Sequence, residues 1–89
     1  MYQLENCMEI LVEQMFDQAT KNMDICRCEK CKLDIMALAL NSLQPRYSVT
    51  RQGAVYVKLN ILEQQFSTDV LSAIVKGAMT VQESQHHEK

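Results

Sequence analysis

Three closely spaced cysteines, Cys26, Cys28 and Cys31, are the residues of this chain whose type and spacing best suit metal chemistry. A structural zinc ion takes four ligands in a tetrahedron, and thiolate sulfurs on one short turn can supply several of them. Reduced thiols without a metal, and redox or iron–sulfur chemistry, are the alternatives. We therefore expect a structural zinc site at residues 26–31, which we call the cysteine knuckle.

The fourth zinc ligand is left open by the sequence. Cys7 is the one further cysteine, and we interpret it as the fourth ligand. It also lies on the apolar side of a predicted helix, where a buried core cysteine would lie. His86, His87 or an acidic side chain from either subunit are weaker options.

The length and charge of the chain exclude several classes of protein. Its 89 residues form at most one domain with a thin core, so a metal or a partner subunit is expected to add support. A formal net charge of −2 argues against direct DNA binding, which needs a basic face. The N-terminal segment lacks a signal-peptide pattern, and no apolar run is long enough for a membrane span. We expect a cytoplasmic protein without membrane contact, whose cysteines stay reduced.

The apolar periodicity predicts three helices, over residues 4–19, 31–43 and 59–80. Pro45 ends the second helix, because proline restricts the residue before it and donates no backbone hydrogen bond. The second helix is apolar almost all round, which suits a core position or an intersubunit contact.

The segment between the second and third helices has strand character. Gly53 offers a turn between two short extended pieces. Residues with a preference for strands flank it, namely Tyr47, Val49, Val55 and Val57. The predicted fold is a mainly α, small three-helix domain over residues 1–81. It carries the cysteine knuckle and a short extended or hairpin segment, and a polar flexible tail follows over residues 82–89.

The stretch CRCEKCKLDIMALALNSLQPRYSVT, and GAVYVKLNILEQQF after it, resemble the late competence development protein family, ComFB. Gln44 departs from the family pattern, which often has a second proline there, and Cys7 has no fixed counterpart among relatives. The resemblance implies a small helical homodimer that binds zinc through its cysteines. The distinctive residues are Cys26, Cys28, Cys31, Asp34, Ile35, Ala39, Leu40, Asn41, Pro45, Tyr47 and Thr50.

Some ComFB relatives look like receptors for cyclic di-GMP or cyclic di-AMP, and the resemblance implicates the segment that follows the knuckle. Asp34 and Asn41 lie two helical turns apart on one face, where a guanine edge would satisfy both. Arg46 and Arg51 suit phosphates, and Tyr47 suits stacking on a base. The alternatives are a helix cap at Asn41, a helix-dipole role for Asp34, and packing of Tyr47 under the loop. The predicted ligand residues are Asp34, Asn41, Arg46, Tyr47, Thr50 and Arg51.

Catalysis is the weakest interpretation of the sequence. No nucleophile and base show supporting spacing, and no glycine-rich phosphate loop is present. We predict that the chain is not an enzyme but a small dimeric zinc-binding regulatory protein, a receptor for a cyclic dinucleotide linked by family to late competence. A two-fold ligand would match a two-fold dimer. The alternative is a structural adaptor whose apolar helices dimerise and dock an unknown protein partner, without nucleotide binding.

Overall fold

The computed structural model describes residues 2–51 and 55–83, apart from the side chains of residues 50 and 55–58. Three helices and one small sheet make up this part of the chain, so the predicted mainly α class is confirmed. The elements in chain order are β1 (Tyr2–Asn6), α1 (Cys7–Ala19), α2 (Glu29–Ser42), β2 (Tyr47–Arg51) and α3 (Val55–Glu83).

The two strands form an antiparallel sheet in which Leu4 lies opposite Val49. The prediction that the first helix begins at residue 4 was therefore wrong. Asn6 has extended backbone angles, and its side chain accepts a hydrogen bond from the Met8 backbone N–H at 3.2 Å, as an N-cap residue does. The helix consequently begins at Cys7, and the residues before it are available to pair with β2.

The extended conformation expected for Val55 and Val57 was also wrong, because both residues belong to α3. The strand preference of valine is a weak local effect, which a long packed helix overrides. Leu59 is 2% exposed and anchors this part of α3 in the core. The turn expected at Gly53 lies outside the described residues, as do residues 84–89 of the predicted tail.

The core lies where α3 crosses α1 and α2. Burial of each large apolar side chain there contributes about 1.5–3 kcal/mol. Close approach is required at Gly77 of α3, because a Cβ there would lie 3.0 Å from the Ile35 carbonyl oxygen of α2. The largest fully buried apolar side chains are Phe16, Leu11, Ile35, Ile74, Val12 and Val70.

Among the described residues, none of the helices combines the length and the apolar content needed to cross a membrane.

Candidate functional site

The structure brings the three knuckle cysteines together at the start of α2. Cys28 is the N-cap residue of that helix, and its Sγ accepts a hydrogen bond from the Cys31 backbone N–H at 3.5 Å. The Sγ atoms of Cys26, Cys28 and Cys31 all lie within 4.8 Å of one another. In a tetrahedral zinc site with bonds of about 2.3 Å, the sulfurs lie roughly 3.8 Å apart. These cysteines could therefore supply three of the four ligands of a structural zinc ion.

The three thiols differ in how readily they ionise. The Cys31 backbone N–H, and then the Cys26 side chain, lower the pKa of Cys28. Burial raises the pKa of Cys31 to about 11. Because zinc binds thiolates, a zinc ion at this site would displace the Cys31 proton, and its affinity would rise with pH.

Arg27 ties the knuckle to the C-terminal end of α1. Its Nη1 donates to the Thr20 Oγ1 at 2.9 Å, and its Nη2 donates to the Thr20 carbonyl at 2.6 Å and the Met23 carbonyl at 3.3 Å. Thr20 is fully buried and donates its hydroxyl to the Phe16 carbonyl at 2.9 Å. Through Arg27, the loop that carries Cys26 is thereby hydrogen-bonded to the buried Thr20.

The basic residues on either side of Cys31 are engaged in ion pairs. Lys30 contacts Asp34 at 2.7 Å, and this hydrogen bond raises the pKa of Lys30. Lys32 contacts Glu13 of α1 at 2.9 Å, which raises the pKa of Lys32. The second pair links the first turns of α2 to α1.

Cys7 does not join the other three cysteines. It is fully buried in the core at the first position of α1, whereas the knuckle follows the opposite end of this 13-residue helix. At 1.5 Å per residue the helix is roughly 20 Å long, far beyond the reach of a metal bond. The structure thus places Cys7 in the core, apart from the other three cysteines. His86 and His87 lie outside the described residues.

The residues predicted to bind a nucleotide are distributed over several places. Asp34 pairs with Lys30 and lines a groove of about 300 Å³ between α2 and the end of α3. Asn41 is exposed in the last turn of α2, and the Arg51 guanidinium lies 5.5 Å from the Tyr2 ring centroid. The backbone of residue 50 lies in β2, and its side chain is outside the description.

Arg46 lines a cavity of about 400 Å³ between the loop before β2 and α3. Its guanidinium lies 4.7 Å from the Phe66 ring centroid, and Lys76 supplies a second positive charge. Asp69 and Ser72 add polar groups to the lining. The sequence interpretation missed these α3 residues. The sequence pattern that could have predicted them is their helical spacing, which places residues 66, 69, 73 and 76 on one face of α3.

Tyr47 lies beside Arg46 and is 62% exposed. Together they line a shallower groove of about 260 Å³. Along the sheet, side chains two residues apart share a face, and so do directly paired residues. One face therefore carries four exposed apolar side chains, which we call the sheet face: Tyr2, Leu4, Tyr47 and Val49.

The fold and the site define a small, mainly helical protein with a three-cysteine candidate metal centre at a helix N-terminus. The family model of the late competence development protein ComFB matches residues 5–85, and the chain belongs to this family. The resemblance noted in the sequence is thus confirmed.

A protein sequence and a solved structure, both of ComFB from Bacillus subtilis, illustrate the match. Competence protein ComFB of strain 168 is 29% identical over 82 residues, covering 91% of this chain and 84% of that protein. The solved structure of the late competence protein ComFB has a TM-score of 0.77 at 29% identity, covering 94% of this chain and 93% of that one.

Proposed function

We propose that this ComFB-family chain is a zinc-binding regulatory protein that acts as a homodimeric receptor for a cyclic dinucleotide. Binding, rather than catalysis, is the proposed activity. The observation that carries it is the cavity in which Arg46 and Lys76 supply positive charge beside Phe66. The cysteine knuckle supports the metal part, because three thiols already converge there.

Zinc would crosslink the loop after α1 to the start of α2. Cys26 comes from the loop, whereas Cys28 and Cys31 come from the N-cap and first turn of α2. Such a crosslink matters in a small domain, where binding of a structural zinc ion adds on the order of 10 kcal/mol to folding.

We predict about one zinc ion per purified chain. Removal of the metal by a strong chelator should lower helicity, measured by circular dichroism, because the crosslink is lost. Cys28→Ser should abolish stoichiometric zinc, whereas the matched control Cys7→Ala should keep it despite some loss of stability. A wild-type protein that contains no metal and still unfolds cooperatively would contradict the zinc site.

The cavity suits one half of a cyclic dinucleotide. Its volume of about 400 Å³ lies within the range of ligand pockets. Arg46 can keep its contact with Phe66 and present guanidinium N–H groups to a phosphate, while Lys76 adds a point charge. Asp69 takes the role first assigned to Asp34, because a carboxylate accepts from two adjacent guanine N–H donors. We therefore favour cyclic di-GMP over cyclic di-AMP.

Calorimetry with both nucleotides tests the receptor function. We predict saturable heat with cyclic di-GMP, and affinity losses of about tenfold or more for Arg46→Ala and Lys76→Ala, because each removes a charge-assisted hydrogen bond. Lys21→Ala is the matched control: it removes an exposed positive charge after the end of α1, away from the cavity. Equal losses in all three variants would indicate a nonspecific charge effect.

The adaptor function is the second candidate, because apolar side chains of the sheet face are exposed: Leu4 is 71% exposed and Val49 is 63% exposed. Apolar patches of this kind mark interaction surfaces. No heat with either nucleotide would leave the adaptor as the function supported by the structure.

A further inference from the structure

Two of the knuckle cysteines form a Cys-x-x-Cys pair at the N-terminus of α2. Cys28 is the N-cap residue, and Cys31 is the third residue of the helix. The distance between their Cα atoms is set by the backbone of the two residues between them, which is helical. In an α-helix, Cα atoms three residues apart lie about 5 Å apart. Disulfides join residues whose Cα atoms lie about 4.4–6.8 Å apart, so this backbone can accept a disulfide without rearrangement.

The side chains of the pair are also placed for such a bond. The two Sγ atoms lie within 4.8 Å of each other. The Cys28 Sγ accepts a hydrogen bond from the Cys31 backbone N–H at 3.5 Å, so it lies against the first turn of α2. Cys28 is exposed, whereas Cys31 is only 4% exposed. An oxidant in solution therefore reaches the Cys28 sulfur first, and Cys31 is the neighbouring thiol that can react with the oxidised sulfur.

Cys26 is a poorer disulfide partner for Cys28. A single residue, Arg27, separates the two, and a disulfide across one residue closes a very short and stiff ring. The Arg27 guanidinium donates to the Thr20 hydroxyl at 2.9 Å and to the Thr20 carbonyl at 2.6 Å. These bonds hold the intervening residue to the end of α1, so the loop has little freedom to bend into such a ring.

We propose that Cys28 and Cys31 form a reversible disulfide when the protein meets hydrogen peroxide. The Cys28 sulfur attacks the peroxide: an S–O bond forms, the O–O bond breaks, and one water leaves, so that Cys28 becomes a sulfenic acid. The Cys31 sulfur then attacks the Cys28 sulfur: the S–S bond forms, the S–O bond breaks, and a second water leaves. In total, two thiols lose two protons and two electrons, and one peroxide is reduced to two waters.

The disulfide would also control the metal, and this part of the proposal rests on the proposed zinc site. Zinc binds thiolates, so oxidation would remove two of the three knuckle ligands and release the ion. When the reaction starts from bound thiolates, the two protons come from solvent. A dithiol reductant would break the disulfide by thiol–disulfide exchange and restore both ligands.

Peptide mass spectrometry of the full chain tests the disulfide, first without metal. The chain is treated with hydrogen peroxide, its remaining thiols are alkylated, and it is then digested. Trypsin cleaves after lysine and arginine, so the three knuckle cysteines fall on separate peptides, residues 22–27, 28–30 and 31–32. We expect the second and third peptides to be joined, with a mass about 2 Da below the sum of the two reduced peptides. Dithiothreitol should separate them again.

Cys28→Ser tests the assignment and preserves the helix N-terminus, because serine is a favoured N-cap residue. This variant should lose the joined peptides. Cys26→Ser is the matched control, since it removes a knuckle thiol outside the pair, and it should form the joined peptides to the same extent as the wild type. If peroxide leaves Cys31 reduced in the wild type, or joins its peptide to residues 22–27 instead, the proposal is overturned.

A chromogenic chelator that reports free zinc separates this proposal from the zinc site. In the zinc-loaded chain, we expect about one ion to be released for each disulfide formed. A disulfide that forms while the ion stays bound would exclude control of the metal by oxidation. If the wild type binds no zinc, the proposed zinc site fails, and the peptide masses still decide whether the disulfide forms.

Discussion

At the scale of single residues, Arg27 has a defined role beside the candidate ligands. It lies between Cys26 and Cys28 in sequence, and its guanidinium donates to the buried Thr20 and to the Met23 carbonyl. These bonds satisfy carbonyl and hydroxyl groups at the end of α1, and they fix the loop that carries Cys26. Arg27 is therefore a positioning residue for the knuckle.

Arg27→Ala is predicted to weaken zinc binding by about 10-fold to 100-fold, as loss of groups that orient metal ligands does. The measurement is chelator competition, performed where circular dichroism shows the variant to be folded. Arg51→Ala is the matched control, because Arg51 is an exposed arginine that lies beside Tyr2, away from the knuckle. If the Arg27 variant and the wild type bind zinc with equal affinity, Arg27 is not a positioning residue for the knuckle.

The clustering of the three cysteines was predictable because their proximity follows from short sequence spacing. The position of Cys7 was not, since its distance from the knuckle depends on the direction in which α1 runs. The cavity residues Phe66 and Lys76 were missed for a similar reason: they meet Arg46 only through the packing of α3. The local sequence pattern was sufficient to predict the cysteine cluster, whereas the cavity depends on tertiary contacts that no local pattern indicates.

At the scale of elements, the contact between α2 and α3 depends on Gly77. Its missing side chain lets α3 approach the Ile35 carbonyl oxygen, and an added Cβ would lie 3.0 Å from that atom. This oxygen belongs to the backbone of a helix, so it cannot move aside without shifting α2. The glycine therefore permits the close packing of these two helices.

Gly77→Ala tests this contact. Alanine favours a helix by about 1 kcal/mol over glycine, but overpacking costs about 1–3 kcal/mol, so we predict a net loss of stability. Gly77→Val should lose more. Thr68→Ala on the exposed side of α3 is the control and should be neutral or slightly stabilising. Urea unfolding measures all three, and a stabilised Gly77→Ala variant would contradict the close contact.

The lengths of the elements were harder to predict than their types. Leu4 fits the helical spacing of Met8 and Leu11. The prediction from periodicity therefore began the first helix at residue 4, within what the structure shows to be β1. The Asn6 N-cap was the local signal for the true start of the helix. The pairing of β1 with β2 joins residues about 45 positions apart in the sequence. A local sequence pattern cannot predict such a long-range pairing.

At the scale of the whole molecule, the sheet face is the surface that we propose a second copy covers. Leu4 and Val49 pair directly across the strands and are 71% and 63% exposed. Tyr2 and Tyr47 extend the same face. A two-fold axis beside this sheet would bring identical apolar surfaces together and would supply the second half of a site for a symmetric ligand.

Leu4→Glu is predicted to convert the proposed homodimer to a monomer, because it places a charge in the proposed apolar contact. Light scattering coupled to size-exclusion chromatography measures the mass. Leu33→Glu is the control, since Leu33 is also an exposed leucine, at 55%, but lies on α2. A wild-type protein that is monomeric at all concentrations tested, or a dimer that persists in Leu4→Glu, would exclude this surface.

The close spacing of the knuckle also bears on how the chain folds. The three sulfurs come from residues 26–31, whereas the sheet needs residues 2–6 and 47–51 together. Closing a short loop costs less entropy than closing a long one, so local contacts form faster. During synthesis, the three knuckle cysteines leave the ribosome about 20 residues before β2 is finished. A zinc ion bound at the knuckle, as proposed, would therefore join the end of α1 to the start of α2 before β2 has been translated.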